Sequence, residues 1–298
     1  RIFPFEAQLT GRDIYFATLL GIAEMARYGI VSTTDMYFRL DDMARAFAES
    51  GAKVNLSNGA TCFDQTPYEQ LASTVEARAA VHDWQGAEDG RIRIDLSLHA
   101  EYTSDEATDR AVAEDAKRLS CRVHVHISET KAEHEGCKAR RGGRTPVRYH
   151  ADCGLLDSPA TAAHCVWLED EDFDILREKG VTVATCPKSN LKLASGVFDM
   201  RKAMEKRVQV ALGTDSVASN NNLNMLEEMR VFLLAQKGFS GDPTLVTPEE
   251  ALFCATRAGA LSQGREDTGE IREGYRADLA VLDVASPCMR PAPYPSSR

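Results

Sequence analysis

The chain has 298 residues, 43% of them apolar, which is enough to bury the core of one large α/β barrel or of two ordinary domains. Its formal charge of -10 repels phosphate backbones and anionic lipid, so nucleic acid and membrane surface are set aside as partners and a small-molecule substrate is expected. Eight cysteines are scattered singly with no CxxC pair, no apolar run approaches a membrane span, and no signal-peptide pattern occurs, so reduced thiols and a cytoplasmic location are expected.

The chain opens on Arg1 rather than methionine and runs almost at once into a helix, which suggests that it begins inside a longer protein. Apolar positions at helical spacing predict that helix from Asp13 to Tyr28, stopped at Gly29. A strand rich in Ile, Val and Thr then ends at Asp35, followed by a helix over 41–49 and a short strand over Lys53–Leu56. A long helical pattern covers 67–81, and alternation of Ile92, Ile94, Leu96 and Leu98 with polar residues predicts a strand ending at His99. Ser104, with acids behind it, reads as the N-cap of a helix reaching Leu119.

The stretch VHVHISET, Val123 to Thr130, reads as a strand that delivers His126 and then Glu129 in the following turn. Three more strands follow, Thr161–Leu168, Val181–Pro187 and Val208–Asp215, separated by a helix over 169–179 and by the loop KSNLKLASG with a short helix. A long helix is expected over 223–237, and the last helix opens on Thr247-Pro248-Glu249-Glu250, a capping box with proline at its first position. The alternation implies a parallel sheet of seven strands with right-handed crossovers, and neither a dinucleotide fingerprint nor a phosphate loop is present. From Gly269 the pattern suggests a hairpin and strand of a separate small β unit, with a frayed tail after Pro287.

Set side by side, the strand ends carry His99, His126 with Glu129, His164 and Asp215. In a (β/α) barrel such ends converge on one face, and each of these residues can bind a metal or move a proton. Each alone could equally be a satisfied polar group at a strand end. His124 shares a strand face with His126 and reads as structural. His82, His134 and His150 lie in helical or loop contexts and read as solvated. His99-Ala100-Glu101 mimics the HxE of zinc nucleobase deaminases but lacks their PCxxC partner.

Together VHVHISET, TAAHCVWL, ATCPKSNLKLASG, ALGTDSVASNNNLNMLEEMR and GEIREGYRADLAVLD resemble the amidohydrolase superfamily, in its methylthioadenosine/S-adenosylhomocysteine deaminase and chlorohydrolase branch. The resemblance implies a TIM-type (β/α)8 barrel that lacks its first strand in this chain, over residues 1–268, with 269–298 as the C-terminal part of a small β-sandwich domain. It implies a divalent metal, zinc before iron, held by His126 and Asp215. Glu129 would be the proton shuttle, His164 would hydrogen-bond the nucleophile or the tetrahedral oxygen, Asp215 would also accept the nucleophile's proton, and His99 would contact substrate alongside Glu129 and His164. The implied reaction is hydrolytic deamination of an adenine nucleoside by attack of metal-bound hydroxide, with release of ammonia. Relatives of this kind often self-associate, so a homo-oligomer is expected.

The sequence departs from the family in three places. The HxH pair of the first strand is absent, since His124-Val125-His126 falls on the fifth. Glu101 stands where proline is usual, and the loop SNGATCFD lacks an arginine that some members use near the substrate's tail. A chain of these residues alone is therefore expected to turn over poorly. The alternatives are hydrolysis of another ring substrate, such as a triazine losing an amino group or chloride, and a catalytically silent scaffold.

Overall fold

The computed structural model describes residues 3–283. Nine strand segments, β1 Ser32–Met36, β2 Lys53–Ser57, β3 Gly59–Ala60, β4 Ile92–Ile94, β5 Leu96–Leu98, β6 Val123–Ile127, β7 Ala160–His164, β8 Thr182–Thr185 and β9 Gln209–Leu212, form two parallel sheets, β1-β2-β4 and β3-β5-β6-β7-β8-β9. β2 and β3 are one path of chain interrupted at Asn58, and β4 and β5 another interrupted at Asp95. The interruptions split the ladder without reordering it, so seven strand paths lie side by side in chain order, as the alternation of elements predicts. β1 and β9 each pair on one side only.

Helices cross between successive strands because each parallel step needs a long return connection. The crossovers include Leu40–Ser50, Ala72–Trp84, Glu106–Leu119, Asp170–Glu178 and Met225–Ser240. One face of each strand meets them: Val123, Val125 and Ile127 of β6 are fully buried in a single apolar cluster that includes Val112 and Ala116 of one helix and Phe173 and Leu176 of another. The opposite face of β6 carries His124 and His126, since side chains alternate along a strand.

Several boundaries differ from the sequence expectation for local reasons. The first long helix spans Gly11–Arg27, because Thr10 and Asp13 close a capping box ahead of it. Ser104 is not the N-cap: Asp105 accepts from Thr108 N at 2.8 Å, and Ser104 donates to Asp109 instead. Helices Lys131–Arg140 and Pro146–Asp152 fill the crossover between β6 and β7, and Pro187–Lys192 is helical within the expected loop. Residues 269–283 form no strand, lacking a partner to pair with, and instead turn at Arg272–Tyr275. Lys53, Thr268 and Arg276 bond this turn back to the barrel through Asp278, Asp267 and Asp89. The tail after Pro287 lies outside the described residues.

All seven cysteines among the described residues are free and buried, and no described helix is long and apolar enough to cross a membrane.

The end of the barrel away from the strand C-termini is sealed by Arg265, which is 3% exposed. Its guanidinium donates to Val54 O at 3.0 Å, Arg91 O at 2.9 Å, Gly90 O at 2.9 Å and Asn55 Oδ1 at 3.1 Å. Burial, chiefly, pulls its pKa down to about 10, which still leaves it charged at neutral pH. Arg265→Ala should therefore remove four buried charge-assisted bonds and cost about 3 kcal/mol or more. Equilibrium urea unfolding checks this, and a variant that unfolds at the parent's midpoint would show the plug to be dispensable.

Candidate active site

The site is built from the carboxyl ends of β5, β6, β7 and β9. His126 donates both its backbone N–H, at 3.1 Å, and its ring Nδ1–H, at 2.8 Å, to the carbonyl of His99 on the neighbouring strand. A carbonyl only accepts, so the Nδ1 proton is fixed and the Nε2 lone pair is left free. Ring centres of His99, His124 and His164 lie 5.1, 5.8 and 5.5 Å from that of His126. Burial among these rings, with His164 the next contributor, holds His126 well below the usual imidazole range, so it is neutral. Ala163 stands in register with His126 on β7.

The ends of β6, β7 and β9 share a backbone feature. Ser128, His164, Cys165 and Asp215 have φ of 49°, 71°, 51° and 58°, left-handed values that side-chain-bearing residues rarely adopt. Such strain collects at functional sites because the surrounding structure must hold it. Here it turns His164 and Asp215 at the moment the chain leaves the sheet.

His164, 3% exposed, bonds through Nδ1 to Asn190 Oδ1 at 2.9 Å and presents Nε2 to Glu129 Oε2 at 3.8 Å. Glu129 also accepts from Ser195 Oγ at 3.4 Å. Its backbone is fastened by Glu133, whose carboxylate accepts from Ser128 N at 2.7 Å and Glu129 N at 2.8 Å. Asp215 Oδ2 accepts from Ser189 Oγ at 2.5 Å and Ser219 Oγ at 2.8 Å, and Oδ1 from Ser216 N at 2.6 Å. His99 is half-buried, contacts Thr103 through Nδ1 at 3.1 Å and meets Tyr102 edge-on; burial lowers its pKa too. The five predicted residues thus fall at the carboxyl ends of β5, β6, β7 and β9.

The remaining histidines partly depart from expectation. His82 is exposed as expected. His134 and His150 are buried, not solvated: His134 bridges Ser128 Oγ at 3.2 Å and Glu169 at 3.4 Å, and His150 pairs with buried Asp109 at 3.0 Å. Their acidic partners, Glu169 and Asp109, lie far away in sequence, so local pattern does not reveal them. Glu101 is fully buried beneath Arg140 at 2.5 Å and Arg141 at 2.7 Å, so it ties the loop after β5 to helix Lys131–Arg140. His124 is buried with an unpartnered Nδ1, and burial, reinforced by His164, lowers its pKa to about 4.

The donors suit a divalent cation of borderline softness: a neutral imidazole with a free Nε2 and a hydrogen-bonded carboxylate. Among the described residues no three or more His, Cys, Asp or Glu side chains cluster closely enough to hold an ion unaided.

A parallel α/β scaffold with imidazoles and carboxylates gathered at its strand ends defines the class as a barrel of TIM type. The chain belongs to the amidohydrolase family, whose model matches residues 3–296. It is 46% identical over 291 residues to the 5-methylthioadenosine/S-adenosylhomocysteine deaminase of Dictyoglomus thermophilum, covering 98% of this chain and 67% of that protein. It is 40% identical over 291 residues to the 5'-deoxyadenosine deaminase of Methanosarcina acetivorans, covering 97% and 66%. Among solved structures it resembles an adenosine deaminase from Xanthomonas campestris with bound zinc, with a TM-score of 0.91, 31% identity, and coverage of 99% of this chain and 67% of that one. The chain thus spans about two thirds of the length of the relatives it matches.

Glu228 was not singled out by the sequence, yet it is fully buried and accepts from Lys188 N at 2.7 Å and Asn220 Nδ2 at 3.0 Å. Burial raises its pKa from 4.5 to about 7. A raised carboxyl favours folding while protonated, so this contribution is complete below the unfolded pKa and is lost as pH climbs through about 7. Glu228→Gln should flatten that decline between these two values. Denaturant midpoints measured for both proteins across that range check it; parallel curves would contradict it.

Proposed function

We propose that the chain is the barrel portion of a metal-dependent hydrolase that removes the amino group of an adenine nucleoside of the methylthioadenosine or S-adenosylhomocysteine kind. The observation that carries this reading is the meeting of Glu129 and His164 at 3.8 Å beside His126, whose Nε2 is left free by the His99 carbonyl. The deaminase relatives support the substrate class. Residues 1–268 are read as the barrel and 269–298 as part of a second, small unit. The barrel's missing first strand would carry the HxH that the family uses for its other metal ligands.

His126 and Asp215 would hold the cation, zinc in first place and iron as the alternative. When bound, such a cation supplies the charge that makes water a nucleophile near neutral pH. The other steps belong to side chains of this chain. Glu129 Oε2 takes a proton from water and delivers it to the purine ring nitrogen beside the amino-bearing carbon. His164 Nε2 orients the oxygen that adds to that carbon, and Asp215 is placed to accept the second proton. Ammonia leaves as the carbonyl forms, so one water enters for each amine released. His99 and Tyr102 flank the substrate on the β5 side.

Glu129→Gln keeps the size and polarity of the side chain and removes its proton-carrying role. Ammonia release from methylthioadenosine should fall by about 100-fold or more, while nucleoside binding by calorimetry stays within a few-fold. Because these residues bring only part of the metal shell, the assay uses the natural-length protein that contains them. Activity near the parent's in the variant would remove Glu129 from the chemistry.

A further inference from the structure

One short stretch, Pro187 to Ser195, reaches three of the site residues from a single side. Ser189 donates to Asp215, Asn190 bonds His164, and Ser195 donates to Glu129. The three recipients come from three different strand ends, β9, β7 and β6. All three donors and acceptors in the stretch are buried, with Ser189 0%, Asn190 1% and Ser195 4% exposed. Polar side chains are costly in such a place unless their bonds repay it.

The stretch is itself held stiffly. Pro187 opens helix Pro187–Lys192, Lys188 N bonds buried Glu228, and Ser195 N returns to Asn190 O at 2.8 Å. Trp167 Nε1 donates to Ser195 O at 2.7 Å, which links the loop after β7 to the same point. Gly196 follows with φ 131°, where an added Cβ would lie 2.8 Å from Val166. The chain can therefore turn there only because no side chain is present.

Asn190 discriminates between a structural and a positioning role. An asparagine kept to satisfy local backbone would bond at both ends of its amide. Here the Nδ2 end has no partner, and the Oδ1 end bonds the ring of His164. Ser195, past the end of helix Pro187–Lys192, donates its hydroxyl to Glu129.

We propose that Asn190 and Ser195 are positioning residues that set the His164 ring and the Glu129 carboxylate at their working separation. This rests on the assignment of those two groups to the deamination. Neither residue touches the substrate; each acts through the group it bonds. A misplacement of about 1 Å at such groups costs on the order of 100-fold in rate.

The test compares Asn190→Leu, which keeps the branched shape but removes the acceptor, with Asn190→Asp, which keeps both the size and the oxygen acceptor, and Ser195→Ala with Ser195→Thr. In the natural-length protein, Leu and Ala should lower kcat by about 10- to 100-fold with KM within about threefold, while Asp and Thr recover most of the loss. The second readout needs no turnover: in protein labelled with 15N-histidine, the His164 ring signals, assigned with His164→Gln, should move in Asn190→Leu. Unmoved His164 signals in Asn190→Leu, or equal losses in Leu and Asp, would overturn the proposal. If the parent releases no ammonia the deaminase reading fails, and the ring signals still decide whether Asn190 governs His164.

Discussion

The His99 carbonyl accepts two hydrogen bonds from His126, one from its backbone and one from its ring, and much of the site depends on that pair. The backbone bond belongs to the parallel register that sets β5 beside β6. The ring bond uses the same oxygen to choose a tautomer and an orientation. Strand pairing and the setting of the His126 ring thus share one acceptor, which leaves Nε2 as the ring's free nitrogen. The cost is a crowded set of imidazoles, which stays tolerable because burial keeps His124 and His126 uncharged.

Around this centre the fold separates cohesion from chemistry. The outward faces of the strands, with Val123, Val125 and Ile127 as examples, supply apolar burial against the crossover helices. The inward faces and strand ends carry polar groups that no apolar packing would hold. His164 and Asp215, whose backbone is left-handed, are also held through their side chains, by Asn190 for the first and by Ser189, Ser216 and Ser219 for the second. Arg265 does the corresponding work at the other end, closing the barrel floor with bonds to carbonyls of β2 and its neighbours.

Much of this is legible from the residues in order. Alternation and β-branched runs mark the strands, and a histidine or aspartate at the end of each run marks the site, because strand ends of a parallel sheet share one face. The supporting groups are not legible in the same way. Asn190 and Ser195 sit in a stretch that looks like ordinary polar loop, and only their three-dimensional partners give them meaning. His134 and His150 look solvated because Glu169 and Asp109 are remote in sequence. Helix Lys131–Arg140 is too polar for its apolar periodicity to stand out, yet its Arg140 pairs with Glu101, the residue that stands where the family usually has proline.

The central claim is that strand ends of a parallel barrel bring His126 and Asp215 together around a divalent cation. Anomalous diffraction at the zinc edge, from crystals of the natural-length protein loaded with zinc, tests it most directly. The account expects a single strong peak bonded to the Nε2 atom of His126 and to the Asp215 carboxylate. A zinc-saturated protein whose peak lies away from both residues would contradict it.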